Sequence, residues 1–315
     1  MKMISAEQVA SALTWPTMIE RLRRTFAEGV TSPKRHHHEM VRPDGEATML
    51  IMPAWENHGY IGVKVINVFP QNTAHNLPAI SGVYLLSEGK HGTPLAGIDG
   101  NELTRRRTAA ASALAAKMLA RKDAKTLLLV GSGKVASMLL EAHSSIFDFD
   151  EVLVWGYNKD EAKQLIARYK NQFNMRLVDE LEAASKKADI ISCATFSSTA
   201  LIKGEWLKPG THLDLVGSFR SDMRESDGNA MARASIFVDT YEGAKNEAGD
   251  IINAINENFI AFSDIKADLF ELTRGEKIGR ADDAEITVFK SVGASLEDLA
   301  AAIEVWEHIS LKELD

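Results

Sequence analysis

The stretch from Thr126 to Ala136 constrains this chain most: the apolar run Thr-Leu-Leu-Leu-Val breaks into Gly-Ser-Gly-Lys-Val-Ala, and a helical pattern then resumes. A buried strand that turns sharply into a helix needs small residues at the corner, and the Gly-x-Gly-x-x-Ala spacing gives each one a task. Gly131 permits the turn out of the strand, Gly133 lets a ligand approach the backbone, and Ala136 lets the helix pack closely. The unpaired N–H groups and positive dipole end of such a helix suit an anion. Lys134 and Val135, at the start of that helix, are therefore candidate contacts for a dinucleotide pyrophosphate. The same spacing also serves a plain strand-to-helix corner, so its meaning depends on what surrounds it.

The surroundings favour a nucleotide-binding fold. From Thr126 onward, short β-rich runs (Val152 to Trp155, Met175 to Val178, Asp189 to Thr195, His212 to Val216, Ile236 to Asp239, Ile286 to Phe289) alternate with helix-forming stretches such as Lys159 to Tyr169 and Val178 to Ala188. That rhythm predicts a Rossmann-type, doubly wound parallel sheet over residues 114–294. The first hundred residues differ. After helical segments at Ala6 to Leu13 and Thr17 to Glu28, the runs Met49 to Met52, Tyr60 to Phe69, Ile80 to Leu86 and Pro94 to Ile98 follow one another without helices between them. They predict an antiparallel or mixed sheet. An alanine-rich helix from Thr104 to Ala120 bridges to the strand at Thr126. The last helix opens with a capping-box-like Ser295-Leu-Glu-Asp, places Leu296, Leu299, Ile303 and Trp306 on one face, and returns to the first region. The expected organisation is α/β, with residues 1–113 and 295–315 forming an α+β domain beside the Rossmann domain.

Composition excludes several classes of function. The 315 residues carry 36 basic and 44 acidic side chains, net −8, with no long basic block, so neither nucleic acid nor an anionic membrane surface is an expected partner. Apolar runs are too short to span a bilayer, and the N-terminus lacks the layout of a secretory signal, which points to the cytoplasm. The one cysteine, Cys193, excludes an intramolecular disulfide framework and reads as a small buried residue. His36-His37-His38, if extended, would point its middle ring away from the outer two, and only Glu39 stands beside it, so no metal is expected.

Two groups of cations invite chemistry. Lys64 stands in Tyr-Ile-Gly-Val-Lys-Val-Ile-Asn-Val-Phe, a run apolar on both faces, where its ammonium must reach water or find a partner in a cleft. A desolvated lysine can bind a carboxylate or move a proton. Arg105-Arg106-Arg107 opens the bridging helix, where at most one or two of the three can aim at one ligand and the others are expected to be solvated. After the second Rossmann strand, Trp155-Gly-Tyr-Asn158-Lys159 places no Asp or Glu where an adenosine ribose would be gripped. Asn158 and Lys159 offer a donor and a cation instead, which favours NADPH over NADH while leaving NADH usable.

Met52-Pro53, Lys64-Val65, Gly92-Thr-Pro-Leu-Ala-Gly-Ile-Asp-Gly-Asn-Glu-Leu-Thr, Arg107-Thr-Ala-Ala, Gly131-Ser-Gly-Lys and Thr287-Val-Phe-Lys-Ser-Val-Gly, in that order, resemble the ornithine cyclodeaminase and mu-crystallin family over nearly the whole chain. The resemblance implies a substrate-binding and dimerisation domain, a Rossmann domain and a homodimer. It also implies roles for individual residues: Arg35, Lys64 and Arg107 at a substrate carboxylate, with Lys64 also catalytic, and Thr108, Thr195, Gly217, Ser291 and Val292 along the cofactor. Where cyclodeaminases and the similar alanine dehydrogenases carry an Asp two residues after the glycine of the fifth strand, this chain has Phe219, which cannot accept a proton. The run Ser221-Asp-Met-Arg-Glu and the later Glu247-Ala-Gly-Asp resemble the ketimine reductase branch. The expectation is reduction of a cyclic imino acid, Δ1-pyrroline-2-carboxylate to L-proline, with the six-membered Δ1-piperideine-2-carboxylate to L-pipecolate as counterpart. Ornithine cyclodeamination or alanine-type dehydrogenation is the enzymatic alternative. A mu-crystallin-like protein that holds NADPH and a small carboxylate without turnover is the alternative of another class.

Overall fold

The computed structural model describes residues 1–43, 45–75 and 77–312, and the chain divides into two compact units, Met1–Arg107 with the segment from Ala294 onward, and Thr108–Gly293. The first unit begins with β1 (Lys2–Ile4), α1 (Ala6–Ala12) and α2 (Trp15–Glu28), then runs through β2 (His36–Arg42), β3 (Gly45–Trp55), β4 (Tyr60–Val68), β5 (Ile80–Glu88) and β6 (Pro94–Asp99) into α3 (Gly100–Leu119). Ser5 and Gln8 close a capping box on α1, and α2 buries Met18, Ile19, Leu22 and Phe26 along one stripe. The described residues form a six-stranded sheet in the order β1-β6-β5-β4-β3-β2, parallel only at β1-β6.

The second unit alternates strand and helix: β7 (Thr126–Val130), α4 (Lys134–Ser144), β8 (Glu151–Trp155), α5 (Lys159–Tyr169), β9 (Met175–Leu177), α6 (Leu181–Lys187), β10 (Ile190–Cys193) and β11 (His212–Leu215). It continues through α7 (Gly228–Arg233), β12 (Ser235–Val238), α8 (Tyr241–Asn246), α9 (Gly249–Asn256), β13 (Ile265–Asp268), α10 (Leu269–Arg274) and β14 (Thr287–Lys290). All pairings in the order β13-β12-β14-β11-β10-β7-β8-β9 are parallel. The doubly wound sheet of the sequence reading is therefore present. Its chain runs from β7 outward through β8 and β9, then restarts on the other side at β10, so the order reverses between β7 and β10. Crevices at such a reversal, outside the carboxyl ends of the strands, are where open α/β sheets bind ligands. Cys193 is fully buried there, and burial pushes its thiol well above the ordinary range.

The final helix, α11 (Ser295–Lys312), covers one face of the first unit's sheet, packing against β3, β4 and β5 and against α2. Leu296, Leu299 and Ile303 are buried as the periodicity required, while Trp306 is only half-buried. Arg21 of α2 holds α11 through Glu304 at 2.8 Å and through Glu307.

Several expectations need correction. β2 is a strand although its sequence shows no apolar alternation; it is an edge strand, exposed along most of its length. β1 and β13 are short strands that carried no periodic signal. α3 starts at Gly100 rather than Thr104, so its first turn carries Glu102 and the arginines follow one turn later. That relieves the conflict with the helix dipole anticipated for Arg105 to Arg107. The division between the units falls after Arg107, inside α3, instead of after residue 113.

Candidate active site

Lys64 occupies the middle of β4, between Met52 on β3 and Tyr84 on β5, on the face that α11 covers. It is 1% exposed, and its Nζ lies 2.6 Å from Asp298 Oδ2 and donates to Thr104 Oγ1 at 3.4 Å. Burial lowers its pKa to about 8; the neighbouring Arg107 and Arg35 charges push the same way, and Asp298 opposes them. A lysine in this state exchanges its proton near neutral pH.

Arg107, from α3, donates Nε to Asp298 Oδ1 at 2.9 Å and Nη1 to Glu297 Oε2 at 2.6 Å. Burial works against its charge, but Asp298 and Glu297 outweigh burial and hold it protonated. Burial likewise raises Asp298, and Arg107 and Lys64 overcome this to bring it below the usual carboxylate range. The expected cationic clamp is therefore an ion-paired cluster whose acidic half comes from α11. Sequence reasoning assigned Glu297 and Asp298 to a helix cap and missed them. Arg35 precedes β2, near enough for its charge to bear on Lys64. Arg105 and Arg106 pair with Glu102, and Arg106 also donates to Leu13 O and lies over the Trp15 ring, so it is packed rather than solvated. Tyr84, beside Lys64, is fully buried, and its Oη has no hydrogen-bond partner among the described residues.

In the second unit the glycine turn has the expected geometry. Gly131 has φ +123°, and a Cβ there would lie 2.7 Å from Ala194 O, so only glycine fits. Gly133 is the N-cap of α4 without a side-chain cap, and a Cβ on it would meet nothing within 4 Å. The open surface at Gly133 and the uncapped first turn at Lys134 and Val135 are what an approaching pyrophosphate requires. Ala136 is buried beneath the turn.

At the end of β8 the structure assigns other work to the expected phosphate readers. Asn158 caps α5, accepting from the backbone of Asp160 and Glu161 at 3.1 and 3.3 Å. Lys159 pairs with Asp179 at 2.9 Å over the Trp155 ring. Tyr157, which sequence reasoning passed over, is 95% exposed at this edge and offers a face to a planar base.

Beyond β10 and β11, Thr195 and Gly217 share one buried partner, Glu225. Phe219 meets Phe196 edge-to-face with centroids 6.1 Å apart, and both rings are exposed. Ser291 bonds to Leu215 O, while Val292 and Gly293 donate to Asp239 Oδ2. Thr108 is the first residue of this unit, on α3. Among the described residues no three His, Cys, Asp or Glu side chains group as a metal site, and no helix is long and apolar enough to cross a membrane.

Known proteins share this fold. A Δ1-pyrroline-2-carboxylate reductase from Colwellia psychrerythraea is 34% identical, covering 98% of this chain and 100% of its own. The structure of the Thermococcus litoralis Δ1-pyrroline-2-carboxylate reductase in complex with NADH and L-proline superposes with a TM-score of 0.94 at 33% identity, covering 99% of this chain and 98% of that one. An archaeal alanine dehydrogenase dimer with bound NAD gives a TM-score of 0.92 at 29% identity, covering 99% and 97%. The ornithine cyclodeaminase/mu-crystallin family model matches residues 2–313, and the chain belongs to that family.

Proposed function

We propose that this protein reduces a cyclic imino acid with a nicotinamide dinucleotide, converting Δ1-pyrroline-2-carboxylate to L-proline, with the six-membered analogue as a second substrate. The observation that carries the reading is Lys64, a fully buried ammonium with its pKa lowered to about 8 and a carboxylate 2.6 Å away, in a chain that also holds a dinucleotide turn. The similarity to a reductase crystallised with NADH and L-proline supports it. The bound dinucleotide supplies hydride for the imine carbon. The chain supplies the rest. Lys64 keeps the imine nitrogen protonated, and Asp298 keeps Lys64 charged until the proton is needed. Arg35 and Arg107 orient the carboxylate, Arg107 through Nη2, the nitrogen it does not commit to α11. Phe219, standing where cyclodeaminases carry Asp, removes the carboxylate that would handle the amine of ornithine.

Within this reading NADPH is the preferred cofactor, because no carboxylate stands at residues 155–159 to repel a 2′-phosphate. The pairing of Lys159 with Asp179 keeps that preference small. The protein acts as a homodimer through the sheet face opposite α11, where Met3, Ile61 and Leu85 remain 66%, 41% and 37% exposed beside Val63. Sedimentation of Leu85→Glu as a monomer, against a wild-type dimer, checks this.

The deciding assay follows NADPH and NADH oxidation with Δ1-pyrroline-2-carboxylate, beside pyruvate plus ammonia and a separate measurement of ammonia released from ornithine. Oxidation with the cyclic imine is the expected result. Deamination of ornithine or amination of pyruvate in its place would overturn the substrate class, and cofactor binding without turnover of any of them would overturn catalysis.

A further inference from the structure

The carboxylate of Glu225 takes no part in the chemistry above, yet it is completely buried and accepts three strong hydrogen bonds. Oε1 accepts from the Thr195 N–H at 2.6 Å and the Thr195 hydroxyl at 2.8 Å, and Oε2 accepts from the Gly217 N–H at 2.7 Å. Thr195 and Gly217 lie just past the carboxyl ends of β10 and β11, neighbouring parallel strands beside the point where the strand order reverses. The contact is close: a Cβ on Gly217 would stand 2.0 Å from Thr195 O and 2.4 Å from Glu225 Oε1. The Glu225 segment is itself pinned, since the backbone N–H groups of Glu225 and Ser226 both donate to Asp250 Oδ1 at 2.8 Å. Asp250 Oδ2 in turn lies 3.5 Å from the buried Lys290 Nζ, which donates to Leu215 O at 3.1 Å.

Burying an ion is costly, and neither strand needs Glu225 to complete its ladder. What the carboxylate adds is a fixed spacing between two strand ends. We infer that Glu225 is a positioning residue for the nicotinamide end of the cofactor site, tying the rims of β10 and β11 together so that Thr195 and Gly217 present one rigid surface. The inference rests on the dinucleotide reading above. The groups that bear on Glu225 are Lys290 from β14, Asp250 from α9 and Cys193 from β10. Burial pushes Glu225 up to about 7, with Asp250 adding to the rise and Lys290 opposing it. Protonation would place an O–H where backbone donors point and break the clamp, so turnover falls as pH drops through that value.

The test compares wild type, Glu225→Gln and Glu225→Asp for affinity toward NADH and ADP-ribose, for kcat and KM with the cyclic imine, and for Tm. Loss of charged hydrogen bonds in the Gln variant should weaken NADH and lower kcat by about tenfold. ADP-ribose affinity and the KM of the imine should stay near wild type. The acidic limb of the kcat profile should vanish in Glu225→Gln and return in Glu225→Asp. A Gln variant that loses only Tm, with its NADH to ADP-ribose ratio and kcat intact, would overturn the inference and leave Glu225 as a fold element. Wild type that binds neither nucleotide would overturn the cofactor reading itself, a distinguishable failure. Should Glu225→Gln not fold, Thr195→Val removes one donor to the same carboxylate; a lowered kcat supports the clamp and an unchanged one refutes it.

Discussion

The sheet face beneath α11 and the carboxyl ends of the parallel sheet are built from different materials. Under α11, Lys64, Arg107, Glu297 and Asp298 form a buried cluster of full charges, three of them drawn from helices and one from a strand. Around β7 and α4 the working groups are backbone amides, a glycine with φ +123° and another with open space where a Cβ would go. Charged side chains tune acidity, which chemistry needs. Backbone amides recognise shape and negative charge, which binding needs. A site of the first kind fails when a side chain is removed, and one of the second kind fails when an atom is added.

The sharpest way to break this contrast is Lys64→Met. Loss of the proton donor should lower kcat by about a hundredfold or more while leaving cofactor affinity near wild type, read by steady-state kinetics and nucleotide titration. In the proposed mechanism the active form is the ammonium, so turnover should decline as pH rises through about 8. Near-normal kinetics in Lys64→Met would take the chemistry away from the first unit. Next in size is the pair Gly131→Ala and Gly133→Ala. The first forces a Cβ against Ala194 O in a left-handed conformation and should cost about 1–3 kcal/mol of stability as well as cofactor binding. The second meets no protein atom, so Tm should hold while cofactor affinity drops by about tenfold, some 1.4 kcal/mol. Wild-type affinity in Gly133→Ala would show that the turn is only a corner. The smallest effect belongs to Lys159→Ala, which should weaken NADPH about threefold more than NADH, since its ammonium is partly exposed and already paired with Asp179. Equal changes for the two cofactors would remove it from the 2′-phosphate.

What could be read from the sequence follows from how far each signal reaches along the chain. The turn at Gly131, the alternation from β7 to β11 and, apart from the half-buried Trp306, the buried face of α11 are local patterns, and they stand as read. Lys64 stood out because a charge within a strand apolar on both faces has few explanations. Its partner did not, because a carboxylate in the first turn of a helix already has a sufficient reason to be there. Glu225 sits in a loop without periodicity, and its donors are 30 and 8 residues away. Asn158 offered a plausible donor for a phosphate but is spent capping α5, a task that the same residue type performs equally well. β2 was invisible because an edge strand exposed on most of its length has no apolar rhythm to show.

The hydrogen bond between Arg107 and Asp298 joins residues 191 positions apart, and all of Thr108–Gly293 lies between them. During synthesis the strands that carry Lys64 therefore exist for some time without their covering helix or its carboxylates. Closing so long a loop is entropically slow compared with the local pairings of the inserted unit, which can form in the meantime. The charge cluster around Lys64 is thus completed only by a chain that has been made through the whole of Thr108–Gly293 and on into α11. A polypeptide cut short inside the insert would keep Lys64 and its strand but lack Glu297 and Asp298, leaving the Lys64 and Arg107 cations without their counter-charges.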